Sequence, residues 1–257
     1  MRAIILAAGL GRRLGAATVE RPKCLLDVGG QTLIQRSLDN LAVCGIEETI
    51  IVTGHQAEQL RMAVGPVHRG MPVRYLHNPD FNSTGSVLSL AVGVAQLTDP
   101  SVIVLECDLL YHPAFVEAAM RGSGDALLVA DVTGSGDEVF VCADGDRQLT
   151  YLGKNAPDHR RQQSLGEFAG ISRFSRELLD DYRGAAKILK TNGAAGGHYE
   201  DLVLDLARAG ARVGTHCCSG VPWTEVDTEA DLRRARAETL PRLTRRMTLD
   251  AEHPVAP

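Results

Sequence analysis

Short apolar runs recur along the first half of the chain: Ile4-Ile5-Leu6-Ala7-Ala8, Thr49-Ile50-Ile51-Val52, Val73-Arg74-Tyr75-Leu76 and Val102-Ile103-Val104-Leu105. Runs of this length with few polar interruptions predict strands buried on both faces. Between them the apolar residues move to helical spacing. Leu33, Ile34, Leu38 and Leu41 precede Gly45, which suits the position after a helix end, and Gln56 to Val64 and Val87 to Leu97 read as further helices. Alternation of buried strands with helices predicts an α/β, Rossmann-like, mostly parallel sheet flanked by helices.

The pattern changes near Asp125. Ala126 to Val132, Glu138 to Ala143 and Gln148 to Leu152 read as short strands, the last two joined by the turn signal Asp144-Gly145-Asp146, so a small antiparallel extension is expected in the second half. Phe168 to Ser172 and Arg212 to Cys217 follow as strands, with helices near Arg176 to Tyr182, Tyr199 to Ala209 and Thr228 to Thr239. No linker, repeat or low-complexity segment breaks the chain. The expected organisation is one domain over 1–244, with a nucleotide-binding half at 1–124 and an acceptor-binding half at 125–244. Residues 245–257 carry little apolar periodicity and are expected to fray.

Composition narrows the class. Apolar residues make up 44% of 257 residues, enough for a substantial core, and the net charge is −5. Basic residues cluster no further than Arg233-Arg234 and Arg245-Arg246, so nucleic acid is not an expected partner and phosphate affinity has to be local. No run approaches the ~18 apolar residues of a membrane span and no basic leader opens the chain, which points to a cytoplasmic protein with no membrane partner. The six cysteines, Cys24, Cys44, Cys107, Cys142, Cys217 and Cys218, form no C-x-x-C pair and read as small buried hydrophobes.

The candidate chemistry starts where the first strand ends, in Leu6-Ala7-Ala8-Gly9-Leu10-Gly11-Arg12-Arg13-Leu14, followed by Pro22-Lys23. Gly9 and Gly11 allow a tight turn that brings backbone N–H groups against an anion, and Arg13 and Lys23 add positive charge. A Walker loop is excluded, since no Lys-Ser or Lys-Thr follows a glycine here, and Leu14 stands where a dinucleotide fingerprint needs its third glycine. Two acids stand at strand ends, Asp108 after Leu105-Glu106-Cys107 and Asp227 in Trp223-Thr224-Glu225-Val226-Asp227. Together they could hold Mg²⁺, which prefers few carboxylates and leaves room for triphosphate oxygens. For Asp227 a helix cap before Thr228-Glu229 is an equal alternative.

The L-A-A-G-x-G-x-R-L and P-K-x-L pattern resembles that of the sugar-nucleotide-type nucleotidyltransferases, nearest to the bacterial choline-phosphate and phosphonoalkyl cytidylyltransferases, and the resemblance runs over almost the whole chain. It implies the nucleotidyltransferase fold, with Leu6, Ala7, Ala8, Gly9 and Gly11 at the nucleotide, Arg13 and Lys23 as catalytic residues, and Asp108 and Asp227 as Mg²⁺ ligands. It also implies acceptor-binding roles for Lys154, for Glu167 in the Gly-Glu-Phe-Ala-Gly-Ile-Ser strand, and for Glu200 and Asp201. The chain departs from the family in carrying Asn82-Ser83-Thr84-Gly85-Ser86 where choline-phosphate enzymes show paired Asn, and Cys-Asp for Gly-Asp. Thr84, Gly85 and Ser86 are then the base readers, or Thr84 and Ser86 are helix caps. His198 reads as a solvated residue beside Gly196-Gly197.

The implied reaction is attack of a phosphate or phosphonate oxyanion on the α-phosphorus of CTP, with pyrophosphate leaving. The nucleophile is already charged, so charge compensation and alignment are the task rather than base catalysis. The partners expected are CTP and a small phosphonate or phosphate-bearing acceptor, with a homo-oligomer left open. Aromatic residues are only 4% of the chain, few for a cage around a quaternary ammonium, although Tyr151, Phe168, Tyr182, Tyr199 and Trp223 fall in the acceptor half. A sugar-1-phosphate nucleotidyltransferase using UTP, dTTP or GTP shares the loop and the acids, and a non-catalytic nucleotide sensor shares the fold.

Overall fold

A computed structural model describes residues 1–15 and 21–252. In chain order the elements are β1 (Arg2–Ala7), α1 (Leu33–Val43), β2 (Glu48–Thr53), α2 (Ala57–Val64), β3 (Val67–His68), β4 (Met71–His77), α3 (Ser86–Val94), β5 (Ser101–Glu106), β6 (Leu109–Tyr111), α4 (Ala114–Arg121) and β7 (Asp125–Ala130). The second half continues with β8 (Phe140–Ala143), β9 (Leu149–Gly153), α5 (Asp158–Gln162), β10 (Gly166–Ser175), α6 (Arg176–Thr191), α7 (Tyr199–Arg208), β11 (Val213–Cys217), β12 (Trp223–Glu225), α8 (Glu229–Arg234) and α9 (Leu240–Glu252).

The main sheet runs β11-β7-β10-β5-β1-β2-β4-β3, with the β8/β9 hairpin leaving it through β10. β1 pairs in parallel with both β2 and β5, β2 with β4, and β7 with β11, while β10 is antiparallel to β5 and β7. The alternation of side chains along a strand splits the core between two faces. Ile4 and Leu6 pack with α3, α6 and α7 on one side, and Ala3, Ile5 and Ala7 pack with α1, α2 and α4 on the other. The expected mostly parallel sheet, flanked by helices and carrying small antiparallel parts, is the fold observed. The Asp144-Gly145-Asp146 turn closes the β8/β9 hairpin, with the Asp144 N–H donating to the Gln148 carbonyl.

Two differences matter for the cleft. The pair β6/β12 forms a small antiparallel sheet of its own, and it docks the Trp223–Glu225 segment beside Asp108. Secondly, the expectation of a frayed tail from 245 is corrected as far as Glu252, because α9 continues through Leu240–Glu252. Leu243 is buried in a satellite core with Leu14, Leu26, Val28, Leu110 and Val226, and Arg246 pairs with Asp250 one turn on. Leu240 also packs on this core and Asp250 lies 3.3 Å from His112 Nε2, so a few anchors hold a helix whose remaining face is polar, which is why periodicity alone does not reveal it. The rest of the tail, 253–257, lies outside the described residues.

Candidate active site

The carboxyl ends of β1 and β5 open into a cleft of about 280 Å³. Leu6, Ala8, Gly9, Arg13, Lys23, Thr84, Gly85, Ser86, Asp108, Lys154, Glu167, Glu200 and Asp227 all line it, so most of the predicted site is brought together. Ala7 is buried in β1 behind this wall, and Gly11 stands at the start of the 3-10 turn Arg12–Leu14 with φ 61°.

Gly9 and Gly85 differ in how far the fold requires glycine. A Cβ on Gly9 would meet nothing within 4 Å, and its φ lies outside the left-handed region, so the fold itself does not demand glycine there. A Cβ on Gly85 would lie 1.9 Å from the Gly197 carbonyl oxygen, so here close packing of two loops excludes every other residue. The backbone of Gly85 is also partly spent: its N–H donates to the Ala195 carbonyl at 2.9 Å. Thr84 Oγ1 donates to the Asp80 carbonyl, and Ser86 Oγ accepts from the Tyr199 N–H at 2.8 Å, which leaves the Ser86 hydroxyl proton available to a base. Neither Thr84 nor Ser86 caps α3, whose preceding residue is Gly85 with no side-chain cap, whereas Ser86 serves the first N–H of α7.

Lys23 sits at the centre of the charged network. Its Nζ contacts Asp108 and lies 2.5 Å from Asp227 Oδ1, while Arg13 Nη2 reaches Asp227 Oδ2 at 2.6 Å. Burial by itself disfavours the ammonium, yet attraction to Asp108 and Asp227 outweighs it and raises the Lys23 pKa well above its usual range. The same attraction overrides the burial of Asp227 and pulls that carboxyl down to about 2. Asp227 is therefore a charged partner of the two cations, and Thr228 supplies the helix cap by accepting from the Asp231 N–H. Asp137, absent from the sequence-based set, joins the walls by accepting from both Arg13 and Lys154, the latter at 2.7 Å.

Sequence reasoning also missed Glu106 and Glu225. Both line the cleft, and Glu106, Asp108 and Glu225 each place a carboxylate oxygen within 4.8 Å of the other two. The signal was present as a doubled Glu-x-Asp spacing, Glu106-Cys107-Asp108 and Glu225-Val226-Asp227, since residues two apart on extended chain share a face. Pairing of β6 with β12, extended by the Val226 N–H donating to the Asp108 carbonyl at 3.0 Å, brings the two spacings together. Burial, then the repulsion of Glu200 and Asp108, raises the Glu106 pKa well above the carboxylate range, and burial followed by Asp108 and Glu106 does the same to Glu225. Asp108 Oδ1 is buried with no hydrogen-bond partner. An all-oxygen donor set with one orphaned oxygen fits a hard divalent cation such as Mg²⁺.

The acceptor half holds two more buried acids. Glu167 Oε2 accepts from the Thr133 N–H at 2.7 Å and from its hydroxyl at 2.9 Å, but burial still pushes the carboxyl up to about 7. Glu200 is 5% exposed, and its Oε2 has no hydrogen-bond partner. Asp201 is not part of the cleft lining. Its Oδ2 accepts from the His198 N–H at 3.0 Å and caps α7, a local role that the acceptor assignment did not anticipate. His198, read as merely solvated, does line the cleft, with Nδ1 3.8 Å from Glu200. Tyr151, Tyr182, Tyr199 and Trp223 do not line it; Tyr182 and Tyr199 are fully buried core residues, and Trp223 Nε1 donates to the Asp131 carbonyl.

Residues 3–186 match the model of the MobA-like NTP transferase domain. This chain belongs to that family. Among curated relatives, the CMP-5'-(3-aminopropyl)phosphonate synthase of Streptomyces rubellomurinus is 31% identical over 98% of this chain and 41% of its own length. A bifunctional IPC transferase and DIPP synthase of Rubrobacter xylanophilus is 32% identical over 90% of this chain and 50% of its own. The chain thus spans half or less of these two relatives. Among solved structures, the inositol-1-phosphate CTP transferase of T. maritima superposes on this MobA-like chain with a TM-score of 0.78 at 18% identity, covering 100% of this chain and 98% of the other. The CTP:phosphocholine cytidylyltransferase of Streptococcus pneumoniae does so with 0.75 at 22%, covering 91% and 97%. At these identities the superpositions establish the shared nucleotidyltransferase fold.

Proposed function

We propose that this chain is a Mg²⁺-dependent cytidylyltransferase, transferring CMP from CTP to a small phosphonate or alcohol phosphate that carries a primary ammonium group, with release of pyrophosphate. The observation that carries the reading is the charge balance of the cleft. Six acidic side chains line it, Glu106, Asp108, Glu167, Glu200, Glu225 and Asp227, against the cations Arg13, Lys23 and Lys154. Burial and mutual repulsion raise the Glu106 and Glu225 pKa, so ionising this cluster around two anionic substrates calls for further cations. A divalent ion answers to Glu106, Asp108, Glu225 and Asp227, and an ammonium on the acceptor answers to the unpartnered Glu200 Oε2 beside Glu167. Phe81 and Phe168 are the phenyl rings of the lining, and with no tyrosine or tryptophan beside them while several acids are present, the site favours a primary ammonium, which hydrogen-bonds to carboxylate, over a quaternary one, which needs a fuller aromatic cage. The names of the Streptomyces relative and of the two solved structures support cytidylyl transfer to phosphorus-bearing acceptors.

In this reading the triphosphate lies against Gly9, where open space faces the backbone, with Arg13 and Lys23 above it. The acceptor oxyanion approaches from the Lys154 side. Lys23 stays protonated throughout, since two carboxylates hold its charge, so it serves as a fixed positive charge rather than a proton donor. When bound, Mg²⁺ supplies charge compensation to the phosphates. No residue need act as general base.

The test is pyrophosphate release with Mg²⁺, offering CTP, UTP, dTTP, GTP and ATP separately against aminoalkylphosphonates, the matching alkylphosphonates without the amine, phosphocholine and sugar phosphates. The expected result is turnover with CTP and an amine-bearing phosphonate or phosphate, and a Glu200→Gln variant that loses the preference for the amine. Turnover only with a sugar phosphate and another base would replace this reading, and equal rates with and without the amine would remove the ammonium subsite.

A further inference from the structure

A second cavity, of about 240 Å³, lies at the other end of the main sheet. β5, β7 and β11 run in one direction, and whereas Glu106 ends β5 at the cleft, this cavity is built on the starts of β7 and β11, at Asp125 and Gly214. Its polar lining includes Ser123, Asp125, Arg147, Arg173, Thr215 and His216. No residue of the active-site cleft takes part.

Arg173, on β10, is the unusual member. Its Nε and Nη1 are shielded from solvent and have no hydrogen-bond partner, and it forms no ion pair among the described residues. The nearby Asp125 carboxylate attracts Arg173 through space but gives it no hydrogen bond. Asp125 Oδ1 accepts from the Ser175 N–H and Oδ2 from the Ser175 hydroxyl at 3.0 Å, so both oxygens are committed to the start of α6. Arg147, on the β8/β9 hairpin, is the second cation, and among the described residues its side chain hydrogen-bonds from Nη1 to the Cys217 sulfur at 3.1 Å and forms no ion pair. Its position is fixed from behind, because its carbonyl accepts from the Thr215 N–H at 2.9 Å and the Thr215 hydroxyl at 3.2 Å. His216 adds a ring on the rim.

Leaving donors of a guanidinium dry and unpaired is costly, and the planar fork of arginine matches the oxygens of phosphate or carboxylate. We propose that this cavity is a binding site for a small phosphate- or phosphonate-type oxyanion, held by the fork of Arg173 with Arg147 as the second cation. Ser123 lies within the same lining as a further hydroxyl donor. The site is separate from the cleft and does not depend on the reaction proposed for it.

Protein carrying 15N in its arginine side chains tests this directly. Inorganic phosphate, pyrophosphate and methylphosphonate are titrated in separately, with sodium chloride at matched ionic strength as the reference. One Nε–H signal, absent in Arg173→Lys, is expected to move saturably with phosphate or phosphonate, and to keep that response when CTP is present at saturation. Arg147→Ala is expected to raise the half-saturating concentration about tenfold or more, the scale of one lost charged hydrogen bond. Which of the three anions saturates at the lowest concentration separates free phosphate from the pyrophosphate product and from a phosphonate acceptor. A signal that stays put, or that moves equally with sodium chloride, would leave Arg173 as a water-solvated structural charge and overturn the proposal. Should Arg173→Lys fail to fold, the exposed hairpin variant Arg147→Ala still decides: phosphate binding unchanged by it also overturns the proposal.

Discussion

Replacing Gly9 by alanine separates what the fold requires from what the ligand requires. The new methyl group would find no atom within 4 Å, and the backbone there is not left-handed, so the native state accepts it without strain. Alanine also restricts the unfolded chain more than glycine does, which stabilises a protein by about 0.4–1 kcal/mol at compatible sites. For a chain of this size that corresponds to a melting temperature roughly 1–4 °C higher. The proposed triphosphate site gives the opposite sign. A methyl group placed where phosphate oxygens lie costs about 1–3 kcal/mol of overpacking, or roughly 5- to 150-fold in affinity. The variant is thus expected to be slightly more stable and markedly weaker for CTP. Thermal unfolding without ligand and calorimetric titration with CTP and Mg²⁺ read the two effects separately. Gly54→Ala is the contrast, since a Cβ there would lie 2.6 Å from both the Ala8 carbonyl oxygen and Phe81 Cβ, and it should lose stability. Wild-type CTP affinity in Gly9→Ala, or a fall in its stability, would refute the reasoning.

Three further outcomes follow from the charge network and the packing. Lys23→Met leaves Asp108 and Asp227 without their shared ammonium, so a loss of about 3–5 kcal/mol is expected in urea unfolding, partly restored by Mg²⁺, together with loss of turnover; wild-type stability would contradict the central role of the lysine. Glu167 titrates near 7 in the folded protein against an ordinary 4.5, so the native state binds the extra proton and stability falls as pH rises through that window, levelling above it. Glu167→Gln should flatten this part of the stability profile, and an unaltered slope would remove Glu167 as its source. Leu243→Ala should cost about 2–4 kcal/mol and weaken CTP binding, because the satellite core it shares with Leu14 and Leu26 backs the Arg13 and Lys23 segments; a neutral effect on unfolding would show that α9 is not held as described.

The local rules governed what the sequence by itself determined. Short apolar runs such as Ile4 to Ala7 and Val102 to Leu105, spaced by helical segments, read as strands covered on both faces, and the glycines and Lys23 that follow β1 fall by topology at the carboxyl end of the sheet. Asp108 was legible because an acid after an apolar strand needs a partner, whereas Asp227 read equally well as a helix cap and stood out through the resemblance of its Trp223-to-Asp227 segment. Tertiary structure decided the rest, since it depends on which distant segments meet. Lys23 and Asp227 become partners across 204 residues, and the two Glu-x-Asp spacings become one acidic cluster only when β6 pairs with β12. Asp201 and Glu200 are neighbours in sequence with opposite fates: the first turn of α7 spends Asp201 on a cap and turns Glu200 into the cleft. Arg173 shows the same limit, for an arginine on a strand declares its charge in the sequence, whereas leaving two of its donors without a hydrogen bond among the described residues is a property of everything packed around it.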